Sequence, residues 1–184
     1  GRPSGISGLK QFLEAMNQLK AVFKLALALL HIFSGFMTVL FVFPRLSPEH
    51  RQMRVQVWSR GMLQRIGIEL VVKGQPDMRG PLMLVANHIS WLDITSLHAA
   101  RFCRFVSKAD IAQWPFIGKL ASGIGTLFLE RTSRRDAMRV VHHMASSLRA
   151  GDVLAVFPEG TTSDGRSLLP FHANLFESAI VANV

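Results

Sequence analysis

Leu82-Met83-Leu84-Val85-Ala86 runs without a break into Asn87-His88-Ile89-Ser90-Trp91-Leu92-Asp93. Five apolar residues followed at once by a polar pair describe a strand covered on both faces, with polar side chains delivered at its carboxyl end. Val153-Leu154-Ala155-Val156-Phe157 repeats the arrangement and runs into Pro158-Glu159-Gly160-Thr161-Thr162-Ser163. Further strand-like runs lie at 68–72, 104–107 and 126–129. Helical periodicity marks 92–100, 117–122, 135–149 and 174–182, with Gly74, Gly80, Gly125 and Gly151 as punctuation. This alternation predicts an α/β domain with a mostly parallel sheet flanked by helices.

Upstream, Ser47-Pro48-Glu49 is a helix start, with a capping serine and a proline at the first helical position, and the helix should reach about Ile66. Before it the character changes. Leu9, Phe12, Leu13, Met16, Leu19 and Phe23 share one helical face, with Lys10, Glu14, Asn17 and Gln18 off it. Residues 25–43 then carry no formal charge. Nineteen helical residues span roughly 28 Å, the hydrocarbon thickness of a bilayer. Pro44 should end that run. Basic residues flank it on both sides, so loop charge gives no orientation, and a hairpin dipping into one leaflet fits as well as a span. A buried core helix is the competing reading. The expected division is residues 1–46 as amphipathic plus apolar membrane-associated helices and 47–184 as the α/β domain.

Composition agrees. Of 184 residues, 49% are apolar and 18% charged, too apolar for disorder and short of the quarter-charged norm for a soluble domain. One cysteine, Cys103, excludes an internal disulfide framework. The net charge is +9, and residues 1–60 hold eight basic against two acidic side chains. Basic charge beside an apolar stretch suits an anionic membrane surface. No helix-turn-helix, zinc-finger or aromatic-stacking motif supports the rival, nucleic acid.

His88 and Asp93 suggest chemistry. An imidazole with one nitrogen bonded to a carboxylate has a fixed tautomer, and its other nitrogen is a general base. No G-x-S-x-G nucleophile accompanies the pair, and Ser90 is too close in sequence to serve. The substrate would then bring its own nucleophile, such as a hydroxyl. Amides beside Gly160, with the Thr161 and Ser163 hydroxyls, suit phosphate or headgroup oxygens, and Glu159 can bind a ligand hydroxyl or orient a neighbour. Gly125-Thr126-Leu127-Phe128-Leu129-Glu130-Arg131 ends another strand in charge, where Arg131 offers a planar fork to a phosphate. Lys108 adds a cation at a fourth strand end.

The three segments, in this order, resemble the glycerolipid acyltransferase family. Its N-H-x4-D motif matches Asn87, His88 and Asp93; G-x-x-F-[IVL]-[DE]-R matches Gly125 to Arg131; and F-P-E-G-T-x-S matches Phe157 to Ser163. The resemblance covers about residues 50–182. It implies that His88, oriented by Asp93, deprotonates the free hydroxyl of a lysolipid, which attacks an acyl thioester on coenzyme A or acyl carrier protein. The foremost acceptor is 1-acylglycerol-3-phosphate, giving phosphatidic acid. Arg131 would bind the acceptor phosphate, Glu159, Gly160 and Thr161 would shape the acceptor site beside Asn87, and Lys108 would assist. No cofactor beyond the thioester co-substrate and no metal is implied. The resemblance also implies association with membrane lipids, with the site on the cytoplasmic side, where the donor is made. Thr162 stands where many members carry arginine, which leaves room for another lysolipid acceptor. The family's fourth motif, a short apolar proline-containing strand, is not reached by Val184, so the α/β domain is expected to be truncated at its carboxyl end. Two rivals remain: a lipid thioesterase using His88 to activate water, and a membrane-binding module without catalysis.

The remaining chemistry-bearing residues read as structure. His142 and His143 lie on an amphipathic helix without metal-ligand spacing, His31 should be bonded among helices, and Cys103 should be a packing residue. His50, His98 and His172 have no motif partner. Trp58 and Trp91 suit either an interface or packing.

Overall fold

The computed structural model describes residues 4–75, 77, 79–130 and 134–184. Four strands form one sheet: β1 (Leu82–Val85), β2 (Arg104–Lys108), β3 (Leu127–Leu129) and β4 (Val153–Val156), in the order β1-β4-β2-β3. Every pairing is parallel. Leu82 faces Val153 and Val85 faces Val156; Arg104 faces Leu154; Val106 faces Leu127 and Lys108 faces Leu129. Parallel neighbours require crossovers, and helices supply them: α3 (Trp91–Ala100), α4 (Ile117–Gly123) and α5 (Arg134–Arg149), with α6 (Asn174–Ala182) following β4. All four carboxyl ends therefore lie on one edge of the sheet.

Alternate residues of each strand enter opposite layers. Leu127, Leu129, Leu154 and Val156 pack with Val140, Met144 and Leu148 of α5 and Leu175 of α6. Phe105 and Ala155 point the other way and pack with Cys103, Leu84, Ile94 and Leu97. Outside α3 lies α2 (Pro48–Ile66), capped by Ser47 as its sequence requires, with Gln56 donating to the Ala100 carbonyl and Arg60 to that of Ala99. The α/β architecture follows the sequence expectation closely.

Two expectations are corrected. Residues 68–72 form no strand, and their side chains are exposed, Val71 at 68%. A β-branched run becomes a strand only where a neighbour takes its backbone groups and a layer covers one face, and the described residues supply neither. The amino-terminal region is one continuous helix, α1 (Ser4–Met37), instead of two. Nothing breaks the chain between Phe23 and Leu25; the helix widens into a π-helical turn at Thr38–Val42 and closes with the 3-10 turn Phe43–Arg45, where Pro44 lies.

Helix α1 is attached to the body along one line and bare elsewhere. The His31 and Trp58 rings stack at 4.8 Å. Trp58 Nε1 donates to the His31 carbonyl at 2.9 Å, and His31 Nε2 lies 2.8 Å from the Trp58 carbonyl. Gly35 is needed for this approach, because a Cβ there would stand 2.6 Å from Trp58 Nε1. The other polar groups of the apolar stretch are satisfied within the helix: Ser34 donates to the His31 carbonyl and Thr38 to that of Ser34. Leu9, Phe12, Leu19, Phe23, Leu30 and Phe33 remain exposed. The segment Gly8–Arg45 is long and apolar enough to cross a membrane, and the bare face of α1 supports membrane association.

Candidate active site

At the carboxyl edge of the sheet, β1 ends and the chain turns into α3 through Asn87-His88-Ile89-Ser90. Ser90 and Asp93 form a capping box. The Ser90 hydroxyl accepts from the Leu92 amide, and Asp93 Oδ2 accepts from the amide of Ser90 at 2.9 Å and that of Ile89 at 2.7 Å. The same oxygen lies 2.8 Å from His88 Nδ1. Helix initiation thus builds the His-Asp pair. Partial burial works to raise the Asp93 carboxyl, but the Ser90 and Ile89 amides and the His88 ring outweigh it, and the group titrates below the usual carboxylate range. An ionised carboxylate only accepts, so Nδ1–H is the donor and Nε2 of the neutral ring carries a free lone pair.

His88 is also held at one ring face and at both backbone polar groups. Its ring stacks on Phe157 with centroids 3.9 Å apart, and Phe157 stacks in turn on Phe105. Its amide donates to Glu159 Oε1 at 3.0 Å, and its carbonyl accepts from the Ser163 amide at 2.9 Å. The loop after β4 therefore clamps the loop after β1. The ring keeps 17% of its side-chain surface open, so the base is reachable. This spacing, orientation and access suit removal of a proton from a bound hydroxyl.

The other sequence-predicted residues divide. Glu159 is buried, and its second oxygen accepts the Leu169 amide at 2.9 Å, so the carboxyl group braces two loops. Gly160 has φ +70°, and a Cβ there would stand 2.7 Å from His172 Nε2. Asn87 and Thr161 are exposed beside His88 and Gly160. The Ser163 hydroxyl is engaged locally, accepting from the Gly165 amide at 3.2 Å. Lys108 is exposed at the end of β2. Two strand spacings separate β2 from β1, roughly 10 Å. Arg131 lies outside the described residues. Sequence reasoning missed the Phe157 ring as a platform for His88, although its place at the end of an apolar strand, before Pro158-Glu159, was a usable signal. His98 and Cys103 belong to the core: burial pushes the imidazole down to about 4, against the opposing hydrogen bond to the Cys103 carbonyl, and pushes the thiol up to about 12. Among the described residues no group of His, Cys, Asp and Glu side chains is arranged to hold a metal.

Residues 63–184 match the family model described as Acyltransferase. The chain belongs to the acyltransferase family. A 1-acyl-sn-glycerol-3-phosphate acyltransferase of Neisseria meningitidis serogroup B is 41% identical over 137 residues, covering 73% of this chain and 53% of that protein. A lyso-ornithine lipid O-acyltransferase of Pseudomonas aeruginosa is 40% identical over 134 residues, covering 73% of this chain and 51% of that protein. The chain thus spans about half the length of the curated relatives it matches. Among solved structures, the 1-acyl-sn-glycerophosphate acyltransferase PlsC of Thermotoga maritima superposes with a TM-score of 0.72, covering 93% of this chain and 72% of that one. At 21% identity that likeness speaks for the fold of this acyltransferase-family chain.

Proposed function

We propose that this protein transfers a fatty acyl group from an acyl thioester, on coenzyme A or acyl carrier protein, to the free hydroxyl of a lysolipid. The observation that carries the reading is the 2.8 Å His88–Asp93 pair, which leaves Nε2 open on a partly exposed ring and, among the described residues, has no serine hydroxyl bonded to it. Nε2 takes the hydroxyl proton as the oxygen attacks the thioester carbonyl. Asp93 stabilises the imidazolium that forms. Collapse of the tetrahedral adduct breaks the carbon–sulfur bond, and the thiolate recovers the proton from Nε2. The products are an ester and a free thiol, with no acyl-enzyme.

The foremost acceptor is 1-acylglycerol-3-phosphate, with phosphatidic acid as product. Family membership and the similarity to 1-acyl-sn-glycerol-3-phosphate acyltransferases support this choice. Arg131 would bind the phosphate, with Gly160, Thr161 and Asn87 around the acceptor, Lys108 assisting and Glu159 holding the loops in register. A second reading takes a lyso-ornithine lipid as acceptor. Several relatives of that name match at similar identity, and Thr162 replaces the arginine that the phosphate-binding pattern commonly has. We place the site on the cytoplasmic face of the membrane, because the thioester donor is soluble and the acceptor is an amphiphile.

The test is a panel of lysolipids offered to the full-length protein with acyl-CoA and with acyl carrier protein, scored by product mass. Acylation of 1-acylglycerol-3-phosphate is expected. Acylation of a lyso-aminolipid alone would establish the second reading. Thioester loss at full rate without any lysolipid would replace both with a hydrolase.

A further inference from the structure

The exposed apolar surface does not end with α1. Between the 3-10 segment Ala109–Gln113 and α4, the turn at 114–117 leaves Trp114 52%, Phe116 67% and Ile117 51% exposed. Phe116 has φ +61° and ψ −55°, a conformation that a bulky L residue rarely adopts. The fold maintains this strain while leaving the ring in solvent, so core packing does not account for it. The turn is also continuous with α1. The Phe116 ring meets Phe36 edge-on at 5.3 Å, and Gly123, at the far end of α4, lies under Val39 of the π-helical turn. Phe33 of α1 and Phe41 of the π-helical turn are exposed apolar rings on either side of this contact in sequence, and Lys119 stands exposed just after the turn.

We propose that residues 114–117 are a second membrane-inserting element that enters the same lipid surface as α1, with Lys119 beside the anionic headgroups. The proposal rests on the membrane reading of α1. Trp114 suits the headgroup boundary, and Phe116 and Ile117 suit the acyl region beneath it. The position of the turn gives it a function. It follows the carboxyl end of β2, and the four parallel strands put that end on the same edge as His88. A helix alone fixes one line of attachment and leaves the sheet free to tilt. A second point turns the His88 edge toward the lipid, where an amphiphilic acceptor moves laterally to the site without leaving the leaflet.

Cys103 is fully buried and is the single cysteine, so an introduced surface cysteine can be labelled selectively. The full chain would carry an environment-sensitive dye at Phe116→Cys or at Ala150→Cys. Ala150 is exposed between α5 and β4, on the opposite edge of the sheet. On vesicles of phosphatidylethanolamine and phosphatidylglycerol, the dye at 116 should brighten and be quenched by nitroxide-labelled acyl chains, and the dye at 150 should not change. The double substitution Phe116→Asp with Ile117→Asp should lower vesicle partition by about tenfold or more at an unchanged melting temperature. A chain that floats with the vesicles while position 116 stays unquenched, or while both positions are quenched alike, overturns the proposal alone. A chain that does not float overturns the membrane reading of α1 together with it.

Discussion

Replacing Glu159 by glutamine separates bracing from substrate binding. The two carboxyl oxygens accept one backbone amide each, His88 N at 3.0 Å and Leu169 N at 2.9 Å, at a residue that is 4% exposed. A glutamine amide has one acceptor oxygen, so whichever rotamer it takes, its NH2 group faces one of the two donors. A buried donor left without a partner costs about 1–3 kcal/mol. At roughly 2–4 °C per kcal/mol for a chain of this size, the melting temperature should fall by about 2–12 °C. The His88 backbone would lose half of its clamp, and misplacing a reacting group by about 1 Å can cost as much as 10²-fold in rate. Thermal melts and steady-state kinetics with lysolipid and acyl thioester should give a lower melting temperature, a reduced kcat and an acceptor KM within about twofold of the parent. An unchanged melting temperature with a strongly raised acceptor KM would refute the brace and assign Glu159 to the acceptor.

Asp93→Asn keeps an oxygen for the capping amides but removes the charge beside the imidazole, so kcat should drop about 10²–10⁴-fold with little change in KM. Gly160→Ala combines a positive φ with a close approach to His172, and should cost about 1–3 kcal/mol in denaturant titrations. Adding His172→Ala should recover only the contact part of that loss, because the backbone strain remains. His98 is depressed to about 4 in the folded chain from 6.5, so between those values the unfolded state binds the extra proton. Stability is intact above pH 6.5 and declines as the pH falls toward 4, by on the order of 3 kcal/mol from this group. The difference in unfolding free energy between the parent and His98→Gln across that window measures it; a pH-independent difference would show that the imidazole is not held neutral.

How far the sequence could be read depended on the distance over which each feature is determined. Helix caps, apolar strands and the His88–Asp93 pair are set within a few residues. The His88–Asp93 pair spans six residues, and the capping box Ser90-x-x-Asp93 that builds it spans four. The Glu159 brace joins residues 71 apart and has no local signature. The same holds for the His31–Trp58 lock, which fixes α1 to α2 and gives Trp58 a packing role. Residues 68–72 had the composition of a strand, but pairing depends on an available edge, and composition does not report one. The division of α1 into two helices followed the change from amphipathic to apolar character at Phe23–Leu25, yet a change of face chemistry does not interrupt backbone hydrogen bonding.

In the proposed mechanism His88 Nε2 removes the acceptor proton. The most direct test of this step is single-turnover acyl transfer by His88→Ala in the full-length protein, beside a thermal melt and a lysolipid-binding titration. Loss of the general base should lower the rate by about 10²–10⁴-fold with binding and folding retained. A variant that folds, binds lysolipid and still transfers the acyl group at the parent rate would contradict it.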